Sequence, residues 1–154
     1  MARSYGVNWN ATNTASVSQP MGALTGAATI RPKIYDVVCG SDAAPADNSA
    51  KYAFQRHSAR GTQATSVTPQ AIDAADPASL AFFDTAWTGT TYPTLTASAF
   101  LLQWAQNQRA TFRWVAAPAK ELVIPATASN GLSLMSLVVG GAAVNTVFSI
   151  EFEE

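Results

Sequence analysis

Toward the C-terminus of the chain, Phe148, Ile150 and Phe152 alternate with Ser149, Glu151 and Glu153. A period of two sends successive side chains to opposite faces, so this segment reads as a strand with one face buried and one wet. The pattern extends upstream. Ile34–Cys39 is rich in β-branched and aromatic residues and is closed by Gly40-Ser41-Asp42, while Tyr52, Phe54 and Arg56 alternate with Ala53, Gln55 and His57. Thr62–Ile72 reads as one strand or as two short extended pieces around Pro69, and Leu122–Ile124 as a short strand ending at Pro125. Thr94–Gln106 also carries a helix-like set, Phe100, Leu101, Trp104 and Ala105, but its flanking threonines favour a strand. Thr111–Val115 then forms a hairpin with it around Asn107-Gln108, and Leu132–Val139 forms another with Val144–Glu153 across Gly140-Gly141. Short strands separated by turn signals every roughly eight to twelve residues predict an all-β fold, an antiparallel β-sandwich or a jelly-roll-like barrel. One short helix is expected over Ala78–Thr85, because Asp76-Pro77 supplies a cap and a first-turn proline.

Residues 1–30 differ from the rest. Apart from Arg3 they are uncharged, rich in Ser, Thr, Asn and Ala, and interrupted by Pro20, Gly22 and Gly26. This composition predicts an extended N-terminal arm over 1–30 joined to a β-sandwich domain over 31–154, a single globular unit in all. The arm is expected to be dispensable for the fold of the sandwich. Tyr5, Val7 and Trp9 alternate within it, so one side of a short strand can dock, either on the chain's own domain or on a partner. With Trp87, which lies in an irregular segment, they form the candidate set for contact with another subunit.

Few groups are available for chemistry. Of 154 residues only 12% are charged, against roughly 25% in ordinary soluble domains, and there is one His and one Cys. A surface so poor in charge suits a protein covered by neighbours better than a free monomer. A nucleophilic triad would need His57, with Ser58 beside it and Asp36 or Asp73 to orient it, yet no Gly-x-Ser-x-Gly elbow is present and no catalytic set is assigned. Asp42 with Asp47, and Asp73 with Asp76, share loops but match no calcium-loop spacing, so no metal is assigned, and no cofactor motif occurs. Cys39 has no partner for a disulfide within the chain and reads as a small buried hydrophobe. A net charge of −1 with scattered Lys and Arg argues against nucleic acid as a partner. The longest apolar run, Leu132–Val144, is broken by Ser133, Ser136 and Gly140-Gly141 and falls short of the roughly 18 residues needed to span a membrane. The opening Met1–Gly6 lacks the layout of a signal peptide, so synthesis in a cytoplasm is expected. Trp9 and Trp87 are also the two rings that could form a sugar-stacking platform in a host-adhesion module.

Several strings carry a resemblance. They are Ile34–Ser41 with the Pro45–Asn48 loop, Val67–Ala71, Asn107–Pro118, Glu121–Gly131 and the terminal Phe152-Glu153-Glu154. Together, over roughly residues 30–154, the chain resembles a group of small virion proteins of tailed bacteriophages that accompany the major capsid protein. The resemblance implies a cement, or decoration, protein of β-sandwich fold on the outer surface of the phage head. It further implies synthesis in the bacterial host cytoplasm, assembly as a homotrimer, and the major capsid protein as partner. A tail or head-fibre component is the alternative of the same class.

Overall fold

The alternation at Phe148, Ile150 and Phe152 is met in full: all three are buried, in a strand whose intervening residues lie on the other side. The computed structural model describes residues 2–154. The strands are β1 (Ser4–Thr12), β2 (Gly22–Thr25), β3 (Lys33–Ser41), β4 (Ser49–Ala59), β5 (Gln63–Val67) and β6 (Gln70–Ala71). They continue with β7 (Phe82–Trp87), β8 (Thr94–Asn107), β9 (Phe112–Val115), β10 (Leu122–Val123), β11 (Gly131–Val139) and β12 (Asn145–Glu153). Two antiparallel six-stranded sheets pack face to face as a β-sandwich. One, sheet A, runs β10-β3-β12-β1-β6, with β9 also on β3; the other, sheet B, runs β5-β7-β2-β11-β4-β8.

The expected arm is not an arm. β1 pairs with β12 residue for residue, from Ser4 opposite Glu153 to Thr12 opposite Asn145, and β6 closes its other side. β2 lies inside sheet B between β7 and β11. The segment over 1–30 thus supplies an inner strand to each sheet and belongs to the same folded unit as 31–154. Its lack of charge reflects this position: Tyr5, Val7 and Trp9 face the core, and Gly22–Thr25 is covered on both faces.

Two other expectations are corrected. No helix occurs among the described residues. Asp73 instead closes a turn, accepting the amides of Ala75 at 2.9 Å and Asp76 at 3.0 Å, and the chain then enters β7. The main-chain N–H groups of Leu80 and Ala81, which in a helix capped by Asp76 would bond the carbonyls of Asp76 and Pro77, are instead bound by the carboxylate of Glu154 at 3.1 and 2.9 Å. Nor do the two hairpins form. β8 pairs with β4 in sheet B while β9 pairs with β3 in sheet A, and β11 and β12 likewise belong to different sheets. At Asn107-Gln108 and at Gly140-Gly141 the chain crosses from one layer to the other.

Aromatic rings fill the space between the sheets. Trp9 lies at the centre, 4.4 Å from Phe83 and 5.1 Å from Phe148 between ring centroids, and its indole N–H donates to the Met21 carbonyl at 3.0 Å. Tyr52 meets Phe148 edge-on at 5.6 Å, and Trp104 stacks on Phe112 at 4.7 Å to close one side. Gly22 is required beneath Trp9, since a Cβ there would come within 2.9 Å of the indole and 2.7 Å of Phe83. Such pairs add directional energy of about 0.5–1.5 kcal/mol each to the burial term.

Candidate functional site

The only histidine sits in a buried polar cluster with Thr25 and Ser133, on the side of sheet B turned away from the core. Its ring lies against Gly131 on β11, where an added Cβ would fall 2.5 Å from the imidazole. Nδ1 of His57 is 2.9 Å from the Ser133 hydroxyl and Nε2 is 3.1 Å from the Thr25 hydroxyl. One ring nitrogen donates and the other accepts, so neutral imidazole satisfies both contacts. Burial pushes the His57 pKa down to about 4; Asp84 opposes this and Arg60 adds to it. Next along the sheet, Asp84 is completely buried and accepts two hydrogen bonds from Arg60, at 2.5 and 2.6 Å, and one from Ser66 at 2.6 Å. The guanidinium lies 4.2 Å from the centroid of Phe82.

This cluster is built to be satisfied rather than to react. Ser133 and Thr25 are fully buried, so neither hydroxyl can meet a substrate, and the neutral imidazole has no carboxylate hydrogen-bonded to it. Cys39 is similarly enclosed: burial raises its thiol to about 11, and Sγ donates to the Gln106 side-chain carbonyl at 3.2 Å. The loop carboxylates are engaged locally. Asp42 accepts from the amides of Asn10 and Asn145, Asp47 from Asn107, and Asp76 pairs with Arg3 at 3.7 Å. Among the described residues no three His, Cys, Asp or Glu side chains gather where they could hold a metal ion.

The four residues expected to contact a partner lie inside the chain's own core. Tyr5 is 1% exposed, Val7 2%, Trp9 5% and Trp87 9%. Tyr5 stacks on Phe152 and donates its hydroxyl to the Pro77 carbonyl, while the Trp87 indole donates to the Arg60 carbonyl at 3.0 Å. As contacts for another molecule these residues are therefore corrected: the alternation at Tyr5, Val7 and Trp9 does signal a docking strand, but it docks on β12. Neither Trp9 nor Trp87 offers a ring face to a sugar.

What remains accessible is broad and nearly neutral. On the outside of sheet A, cross-strand rows run Asn10–Val147–Gly40 and Asn8–Ser149–Val38–Arg113. Beyond Arg113 the charge lies toward one end of the face, where Glu151 sits opposite Asp36 and Glu153 opposite Lys33, and Arg113 binds Asp36 through two nitrogens, the shorter contact being 2.5 Å. The other accessible feature is β8, the outermost strand of sheet B, with Phe100 and Leu101 partly exposed. The rows of sheet A are readable as the positions alternating with the core residues, but an outward-facing Asn or Ser carries no sign of its own that a partner uses it. No family model, curated protein or solved structure matches this chain.

Proposed function

We propose that this chain is a structural subunit, a cement protein of a tailed-bacteriophage head that binds the outer shell and bridges neighbouring copies of the major capsid protein. The observation that carries the reading is the disposition of charge. Asp36, Asp76 and Asp84 are ion-paired, and Asp42, Asp47, Asp73, Glu121 and Glu154 are occupied by hydrogen bonds within the chain. On the outer face of sheet A the positions Asn10, Val147, Gly40, Asn8, Ser149 and Val38 form an uncharged stretch, bordered by Arg113 and by Glu151 and Glu153. Such a surface loses little side-chain entropy and desolvates few charges when covered, which suits a long-lived contact with a shell. The resemblance to small virion proteins supplies the kind of shell.

The test is co-sedimentation of the purified protein with heads that lack it, combined with a thermal melt of the heads. Saturable binding to the outside and a higher head melting temperature are expected, and replacing Ser149 and Val147 by Lys should weaken binding. Heads that neither retain the protein nor change in stability would overturn the reading.

A further inference from the structure

The edges of the two sheets are guarded unequally. Sheet A ends in β6 and β10, of two residues each, and in the four-residue β9, which carries the Arg113–Asp36 ion pair. Sheet B ends on one side in β5, five residues long and interrupted by two register shifts against β7. Short length, charge and irregular register are the devices by which sheet edges avoid pairing with other chains. The remaining edge, β8, has none of them in its second half. It is fourteen residues long and contains no Asp, Glu, Lys, Arg, Pro or Gly. Its irregularities against β4 all lie before Leu102, and from Leu102 to Asn107 the register runs unbroken. Apart from its ladder with β4, no main-chain bond reaches Ala97–Gln106 among the described residues. Phe100 and Leu101, at 36% and 39% exposure, stand beside this free edge.

We propose that β8 is a self-association surface: a second copy of this chain pairs with it along β8, antiparallel and about a two-fold axis, joining the two sheets B into one. A row of free N–H and C=O groups is completed only by another strand, and the side chains decide which. A strand without charge gains nothing from a charged partner, whereas its own antiparallel copy brings no like charges opposite each other. The same pairing brings the exposed Gln103 beside the partner strand, with Phe100 and Leu101 at the end of the seam. Identical strands paired this way give an isologous dimer, in place of the trimer that the resemblance implies. The inference stands on the sheet edge alone and does not depend on the cement reading.

Sedimentation of the full chain over a dilution series tests it. A reversible dimer is expected, with faster amide exchange at Leu102–Asn107 as it dissociates. Ala105→Lys and Ala105→Glu, each alone, should weaken the dimer at least about tenfold by placing like charges across an axis that lies within the regular stretch Leu102–Asn107. Their equimolar mixture should restore it, and the far-UV circular dichroism of each should match that of the unmodified chain. Should either variant fail to fold, the exchange measurement on the unmodified chain still decides. A monomer at every concentration, a trimer, a dimer indifferent to both charges, or a mixture that stays monomeric would overturn the proposal.

Discussion

At the scale of single residues, His57 shows how a polar side chain becomes part of a fold. Its two ring nitrogens are taken by Thr25 and Ser133, and it is buried over a glycine that leaves room for nothing else. Because the folded chain holds His57 near a pKa of about 4, below the ordinary 6.5, the unfolded chain takes up a proton first as pH falls. The contribution of His57 is therefore fully present above pH 6.5 and is lost progressively between 6.5 and 4. Its size is about 3 kcal/mol, since each tenfold difference in proton affinity between the two states is worth roughly 1.4 kcal/mol. Urea unfolding across that range should show stability falling with pH more steeply in the unmodified protein than in His57→Gln, which cannot titrate. Equal slopes would mean that the imidazole is free to protonate in the folded state. None of this is legible from the residue's neighbours in sequence, because Thr25 and Ser133 reach His57 only through the pairing of β2 and β4 with β11. Alternation within the segment places His57 on a sheet face, and no more.

At the scale of elements, alternation identifies which face of a strand is buried but not which strand lies beside it. For β12 the face is enough, and Phe148, Ile150 and Phe152 are all core. Consecutive strands read as hairpins at Asn107-Gln108 and Gly140-Gly141 because a short polar or glycine-rich connection fits a hairpin. A connection between layers of a sandwich can use the same residues. The N-terminal segment misleads for a related reason: scarcity of charge marks a strand enclosed in a sheet as well as it marks a docking arm. Its position changes what truncation should do. Removing residues 1–30 takes out β1, which contributes Tyr5, Val7 and Trp9 to the core, and opens sheet B at β2. Loss of one large buried aromatic costs about 3–5 kcal/mol, and whole domains are stable by only about 5–15 kcal/mol. The truncated chain should therefore lack cooperative unfolding and near-ultraviolet dichroism. A sharp thermal transition in that fragment would show that 31–154 folds alone and that β1 is an accessory strand after all.

At the scale of the whole molecule, the order of strands in space governs the order in which the fold can close. β12, which follows all the other strands in sequence, lies between β3 and β1, and nothing else joins those two strands in sheet A. Glu154 extends this closure by exchanging main-chain bonds with Arg3 and by holding the segment that leads into β7. Sheet B, by contrast, has all its strands once Val139 is made. Without β12, however, β3 and β1 would be two unconnected pieces lying on an open hydrophobic layer that includes Leu24, Phe54, Leu132 and Leu134. Pairing between distant parts of a chain makes all-β domains fold in milliseconds to seconds rather than microseconds, and a half-built sandwich exposes strand edges meanwhile. Chains arrested on the ribosome with everything through Val144 exposed should thus remain open to protease, and release of the full chain should bring resistance within seconds. The purified fragment ending at Val144 should aggregate or bind a hydrophobic dye. Protease resistance in the arrested chain would mean that sheet B and its packed layer are stable before sheet A is joined, and that β12 only completes a core already formed.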